Sequence, residues 1–335
     1  MKKVILILSL LSMLDAGAQD IHFSQYFFSP QTWSPAEIGN FDAQYRINAN
    51  QRTQWREVSR PYTTFAVMGD GRLGFAPKEM AFGISLSNDN SGDSRFNTFS
   101  FLAGSTYKYQ LTEDGKHSLT GGLQTGVSQI KINTDDLTFN NQYNGVAFDP
   151  NRSNGENLAR MNRWYFNLNF GALYKFQLAP RKTIDLGIAG HNLTQPKQSF
   201  YNETGVNLPA RLSLYGQSTW MINDRFDALP SIRWMQQSSF SEVVLGSAVR
   251  YILMNERSLY RAVFAGYYGR IGDSGIGLVG FEIDAWRFGL SYDINVSQLE
   301  VASRNRGGFE FSLQYLFGNP REKLDLPSKY CPVFL

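Results

Sequence analysis

Three histidines and one cysteine bound the covalent and metal chemistry open to this chain. His22 lies close to the N-terminus, His117 at the edge of an expected turn and His191 at an expected strand end. No two have the spacing of a metal-ligand pair, and Cys331 has no second cysteine with which to form an internal disulfide. A hydrolase would need a nucleophile oriented by a base, and no local arrangement supplies one. The reading is therefore no enzyme, no catalytic residue, no cofactor and no metal. Cys331 is a small buried or free thiol.

The remaining motifs have plain structural explanations. Gly275, Gly277 and Gly280 match G-x-G-x-x-G, but a dinucleotide site needs a strand before that motif and a helix after it. Here the glycines fall inside one alternating run, where they relieve crowding or admit a bulge. Asn88-Asp89-Asn90-Ser91-Gly92-Asp93 offers oxygens that suit calcium, yet lacks the closing bidentate acid of an EF-hand loop. A polar extracellular hairpin accounts for it as well. Asn192-Leu193-Thr194 and Asn202-Glu203-Thr204 fit the glycosylation sequon and are read as polar loop residues. Arg233, Arg250 and Arg287 are expected to face inward and to pair with acids such as Asp293, or to line a polar pore. On a lipid face near the midplane each would cost roughly 2–4 kcal/mol.

Those arginines presuppose strands with two unlike faces, and the chain is full of them. In Gly308–Phe317, Phe309, Phe311, Leu313, Tyr315 and Phe317 share one face, and Glu310, Ser312 and Gln314 the other. Trp286–Val296 and Trp164–Phe176 repeat the pattern, with a ring-rich face opposite a polar one. A soluble sandwich core would carry more Val, Ile and Leu and fewer rings. Lipid outside and a polar lumen inside explain the pattern better.

From Phe41 onward about fourteen such segments follow. They are Phe41–Asn50, Tyr62–Gly69, Met80–Ser87, Phe96–Tyr109, Ser118–Ile130, Trp164–Phe176 and Thr183–His191. Ala210–Trp220, Ala228–Met235, Val243–Leu253, Leu259–Tyr268, Gly275–Glu282 and the two C-terminal runs complete the set. With both termini periplasmic, even-numbered connections should be short and odd-numbered ones longer. The even set is short except Gly69–Glu79, whereas Lys131–Arg163, Asn192–Pro209 and Ser297–Gly307 are long. The expected fold is all-β: a transmembrane outer-membrane β-barrel of about 14 antiparallel strands.

Composition agrees. Aromatics make up 14% of the chain and glycines number 30, which favours strands with tight turns. Past the first residues no run approaches the 18 or so apolar residues of a spanning helix. A net charge of +3 without a Lys/Arg block excludes a nucleic-acid partner. Lys2 and Lys3, the apolar run Val4–Leu14 and Ala16-Gly17-Ala18 form a secretory signal peptide over residues 1–18. Residues 19–40 are aromatic and carry Pro30 and Pro35; they are expected to pack on or in the barrel, inside its periplasmic mouth. The barrel is assigned to 41–317. Residues 318–335, interrupted by Pro320, Pro327 and Pro332, form a periplasmic tail.

Both ends of the mature chain resemble one family. Phe23-Ser24-Gln25-Tyr26, Ser29-Pro30 and Ser34-Pro35-Ala36 with Gly39 resemble the start of the PorP/SprF proteins of the Bacteroidota type IX secretion and gliding machinery. Gly289 to Asn295, then Ser297, Leu299, Ala302-Ser303 and Gly307 to Glu310, look like that family's C-terminal signature. Members more often have Asn-Pro-Ala where this chain has Ser34-Pro35-Ala36. The resemblance implies a non-catalytic barrel that helps export, dock or anchor a partner surface protein, an adhesin in the SprF branch. The implied partners are a secreted protein carrying a type IX sorting domain, other type IX components, and outer-membrane lipid. It supplies no partner-binding residue. A channel for a small or hydrophobic solute is the alternative, and the state of the lumen discriminates: open for a pore, closed by residues 20–40 for a docking platform. A periplasmic enzyme, the third reading, predicts release from membranes by salt or carbonate.

Overall fold

The computed structural model describes residues 20–318, except 55, 57–59, 75, 93–94, 134–136, 156–160, 202–204, 257–258 and 297–305. The signal peptide, the tail with Cys331, the Asn202 sequon and most of Ser297–Gly307 lie outside the described residues.

Fourteen strands close into one barrel. They are β1 Tyr45–Gln54, β2 Tyr62–Gly71, β3 Met80–Ser91, β4 Phe96–Gln110, β5 His117–Lys131, β6 Asn162–Ala179 and β7 Lys182–His191. Then come β8 Arg211–Met221, β9 Phe226–Gln237, β10 Phe240–Glu256, β11 Leu259–Arg270, β12 Ser274–Ile283, β13 Trp286–Asn295 and β14 Arg306–Phe317. Each pairs antiparallel with its sequence neighbours, and β1 closes on β14 from Tyr45↔Phe317 to Thr53↔Phe309. Closure leaves no sheet edge unpaired, which is how strands satisfy their backbone polar groups in hydrocarbon.

Every expected segment became a strand, and the differences lie at the ends. The first begins at Tyr45 rather than Phe41, because residues 41–44 turn out of the lumen; Phe41 instead covers Arg46, whose guanidinium carbon is 4.5 Å from its ring centroid. The third continues through Asn88-Asp89-Asn90-Ser91, so those residues pair with β4 instead of forming a calcium loop. There Asp89 accepts from Thr64 Oγ1 at 2.6 Å and from Ser91 Oγ at 2.8 Å. Gly275, Gly277 and Gly280 lie within β12.

Alternation sets the two faces. On β14 Phe309, Phe311 and Phe317 are exposed outward, while Glu310, Ser312 and Gln314 are buried inward. The described parts of the long connections 132–161 and 192–210 lie at the end of the odd-numbered connections, beside the tight turns 238–239 and 271–273. The lumen, however, is not uniformly polar. Met235, Val244, Ala248, Phe264, Tyr268, Ile276 and Leu278 point inward from β9–β12 and form an apolar cluster there. The segment that covers them explains why water does not.

Candidate functional site

Residues 20–40 run inside the barrel from one end to the other, through short 3₁₀ turns at Tyr26–Phe28, Pro30–Thr32 and Pro35–Glu37. Prolines at the first position of two of these turns fix the backbone without removing a needed donor. Gln25, Phe28, Ser29, Ser34 and Ala36 have no solvent exposure. Its contacts reach beyond the periplasmic mouth, to both ends of the barrel. At the odd-numbered end, the Asp20 amide donates to Gln237 Oε1 at 3.0 Å, and Asn192 Nδ2 donates to Asp20 Oδ2 at 2.6 Å. At the even-numbered end, the Gly39 amide donates to Asp70 Oδ2 at 2.7 Å, and Lys175 Nζ donates to Asn40 Oδ1 at 2.9 Å. Asn192 is thus a buried anchor and not a free loop residue. His191 Nε2 lies 2.9 Å from the Trp33 carbonyl, and the His22 carbonyl accepts from Arg52.

The segment matches the two halves of the lumen chemically. Tyr26, Phe28 and Trp33 pack on the apolar wall of β9–β12, and burying a ring of this kind contributes about 1.5–3 kcal/mol. Facing β13, β14 and β1, its backbone is met by polar groups. The Ser24 and Gln25 amides donate to the two carboxylate oxygens of Glu310 at 2.7 and 2.9 Å, and Ser24 Oγ donates to Asp293 at 2.9 Å. Glycines make room for Ser34-Pro35-Ala36. A Cβ added at Gly122 would stand 2.5 Å from the Ala36 nitrogen, and one at Gly171 would collide with Ser34 Oγ. Gly122 and Gly171 are register partners across β5 and β6, so together they form a shallow trough.

Several inward charges form ion pairs with one another, which offsets the cost of their burial. Arg250 bonds Asp227 at 2.5 Å, Arg287 bonds Glu282 at 2.5 Å, and Arg250 also reaches Glu282 at 3.6 Å. Asp293, expected to serve one of these, instead takes Arg52 at 2.7 Å and Arg270 at 3.5 Å. Arg233 stacks on Trp33, 4.5 Å from its ring centroid, and on Tyr26. Arg52, Arg270 and Arg211, which donates to the Thr32 carbonyl at 2.7 Å, escaped the sequence reading. One signal was available. Arg46↔Asp70, Arg52↔Glu310, Arg250↔Asp227 and Arg287↔Glu282 are register partners, visible once strand pairing is fixed. His22 and His191 both lie at the odd-numbered end, near Asp20, and His117 lies at the other end; no group of three metal-ligating side chains occurs among the described residues.

A closed fourteen-stranded barrel with an apolar exterior and its own N-terminal segment inside defines an outer-membrane barrel protein. The family model described as type IX secretion system membrane protein PorP/SprF matches residues 16–315. The chain belongs to that family and resides in the cell outer membrane. Among solved structures, the toluene transporter TbuX of Ralstonia pickettii is similar at 12% identity and TM-score 0.49, over 86% of this chain and 93% of that one. The CymD monoaromatic hydrocarbon channel is similar at 11% identity and TM-score 0.46, over 92% and 96%. The KdgM porin gives 6% identity and TM-score 0.38, over 81% and 99%. Likenesses this distant carry no inference about a solute. No curated protein matches by sequence.

Proposed function

We propose that this chain is a non-enzymatic docking barrel of the type IX machinery, which helps export and then anchors a secreted surface protein carrying a type IX sorting domain. The observation that supports this reading over a solute channel is the filled lumen. Residues 20–40 occupy it from end to end, bonded to β1, β2, β6, β8, β9 and β14. A conduit for toluene-sized solutes would require that segment to move. In the orientation this function needs, the even-numbered turns face the periplasm and the long connections 132–161 and 192–210 face outward.

Connection 132–161 presents a surface suited to a protein partner. Tyr143 and Phe148 form an isolated bridge around a turn in which Asn144 Oδ1 accepts from the Val146 and Ala147 amides at 2.9 and 2.8 Å. Tyr143, Val146 and Phe148 are exposed there, Val146 to 88%. The test is to tag an outer loop, extract native outer membranes gently and identify what co-purifies. Recovery of one large secreted protein supports the proposal and names the cargo. Recovery of the bare barrel after crosslinking overturns it.

A further inference from the structure

The mouth at the even-numbered end holds a pocket that the docking of cargo at the opposite face does not use. Its walls are the end of the lumen segment, Ile38 to Asp42, and inward-facing residues of β4, β5 and β6, including Thr106, Ser118 and Thr120. Arg72, Lys78, Lys108 and Lys175 line it with Asp42 and Glu79, and Asp185 stands behind Lys175 in register across β6 and β7, so cations outnumber acids four to three. Elsewhere in the lumen Arg46, Arg52, Arg250 and Arg270 are met by carboxylates, and Arg233 by aromatic rings. Here Arg72 donates to the Ala43 and Gly39 carbonyls at 3.1 and 2.9 Å, and Lys175 to the Asn40 amide oxygen. Among the described residues none of these four cations has an ion-pair partner.

We propose that this pocket binds a carboxylate-bearing segment, an acidic peptide of a periplasmic partner protein, which engages Lys78, Lys108 and Lys175. The inference rests on the orientation given above. Converging cations of one sign raise the local concentration of anions and form short, charge-assisted hydrogen bonds with them. The pocket volume, about 60 Å³, is of a size to admit a carboxylate. The site opens through the lumen mouth and not through the lipid-facing wall, which favours a peptide over a lipid headgroup. The chain's own segment past Gly318 is a poor occupant: Arg321, Lys323 and Lys329 outnumber Glu322 and Asp325.

The full-length protein in detergent micelles, titrated with fluorescent hexaglutamate, tests this by anisotropy. Hexaglutamate should bind and hexaserine should not, with affinity falling as salt rises. Replacing both Lys108→Gln and Lys175→Gln should weaken binding about ten-fold, and Lys78→Glu about three-fold, as expected for charge-assisted contacts. Lys131→Gln, at the opposite end, should change nothing. If the double variant fails to give the heat-modifiable folded band, Lys78→Glu decides alone, because that side chain sits exposed in a turn. Equal binding of hexaserine, or unchanged affinity in Lys78→Glu, overturns the proposal. So does inorganic phosphate that displaces the peptide at the peptide's own dissociation constant, which would mark a free-anion site. Peptide binding by the purified barrel does not depend on cargo recovery, so the two readings fail separately.

Discussion

Gln25 grips Glu310 twice: its backbone amide donates to Oε1 at 2.9 Å, and its side-chain amide to the Glu310 carbonyl at 2.9 Å. One residue of the lumen segment thereby reads both the side chain and the backbone of the strand that closes the barrel. Ser24 adds a third bond, from its amide to Oε2 at 2.7 Å.

Glu310→Ala should loosen the segment without opening the sheet. Each lost charged hydrogen bond costs about 1.5–3 kcal/mol where the donor is left buried. Hydrogen exchange at residues 23–28 should speed up by an order of magnitude or more while β13 and β14 amides stay protected. Unchanged exchange at residues 23–28 would show that the aromatic contacts alone hold the segment.

Gly122→Val should expel Ser34-Pro35-Ala36 from its trough. Its branched side chain would begin 2.5 Å from the Ala36 nitrogen, and backbone on both sides prevents it from yielding. Planar-bilayer conductance should rise from near zero to a stable open level, and residues 20–40 should become cleavable by added protease. A closed, protease-resistant variant would mean that the barrel wall moves instead.

Arg52→Met should lower resistance to unfolding in SDS far more than Arg287→Met. Arg52 is 1% exposed and lies between Asp293 at 2.7 Å and Glu310 at 4.0 Å, so its loss leaves Asp293 only the more distant Arg270 at 3.5 Å and takes the nearest cation from Glu310. Breaking a buried pair in this way costs roughly 3–5 kcal/mol. Arg287 keeps about a quarter of its side chain exposed, and water can replace it beside Glu282. Similar gel-shift midpoints for the two variants would count against the burial argument.

Orientation can be read with single cysteines in a Cys331→Ser background. Val146→Cys should react with a membrane-impermeant maleimide on intact cells, and Glu113→Cys only after the outer membrane is permeabilised. Both sites are exposed in the fold, Val146 in connection 132–161 and Glu113 in turn 111–116, so only sidedness separates them. The reverse labelling pattern would turn the barrel over.

By itself the sequence determined the barrel, because side chains alternate with period 2 and lipid demands one apolar face from every strand. Phe309, Phe311 and Phe317 declare that face within a few residues of chain, as do Trp164, Phe166 and Phe170. The ring-rich segment before the first strand was also visible, but not where it goes. Asp20 meets Gln237 across 217 positions and Ser24 meets Glu310 across 286, and no local periodicity encodes such contacts. Likewise Asp293 finds Arg52 and Arg270 only after closure brings β1, β11 and β13 around one lumen. Lipid on the outer face leaves its mark along each strand. Packing inside the lumen depends on which strands end up opposite one another, and that was decided only when β1 closed on β14.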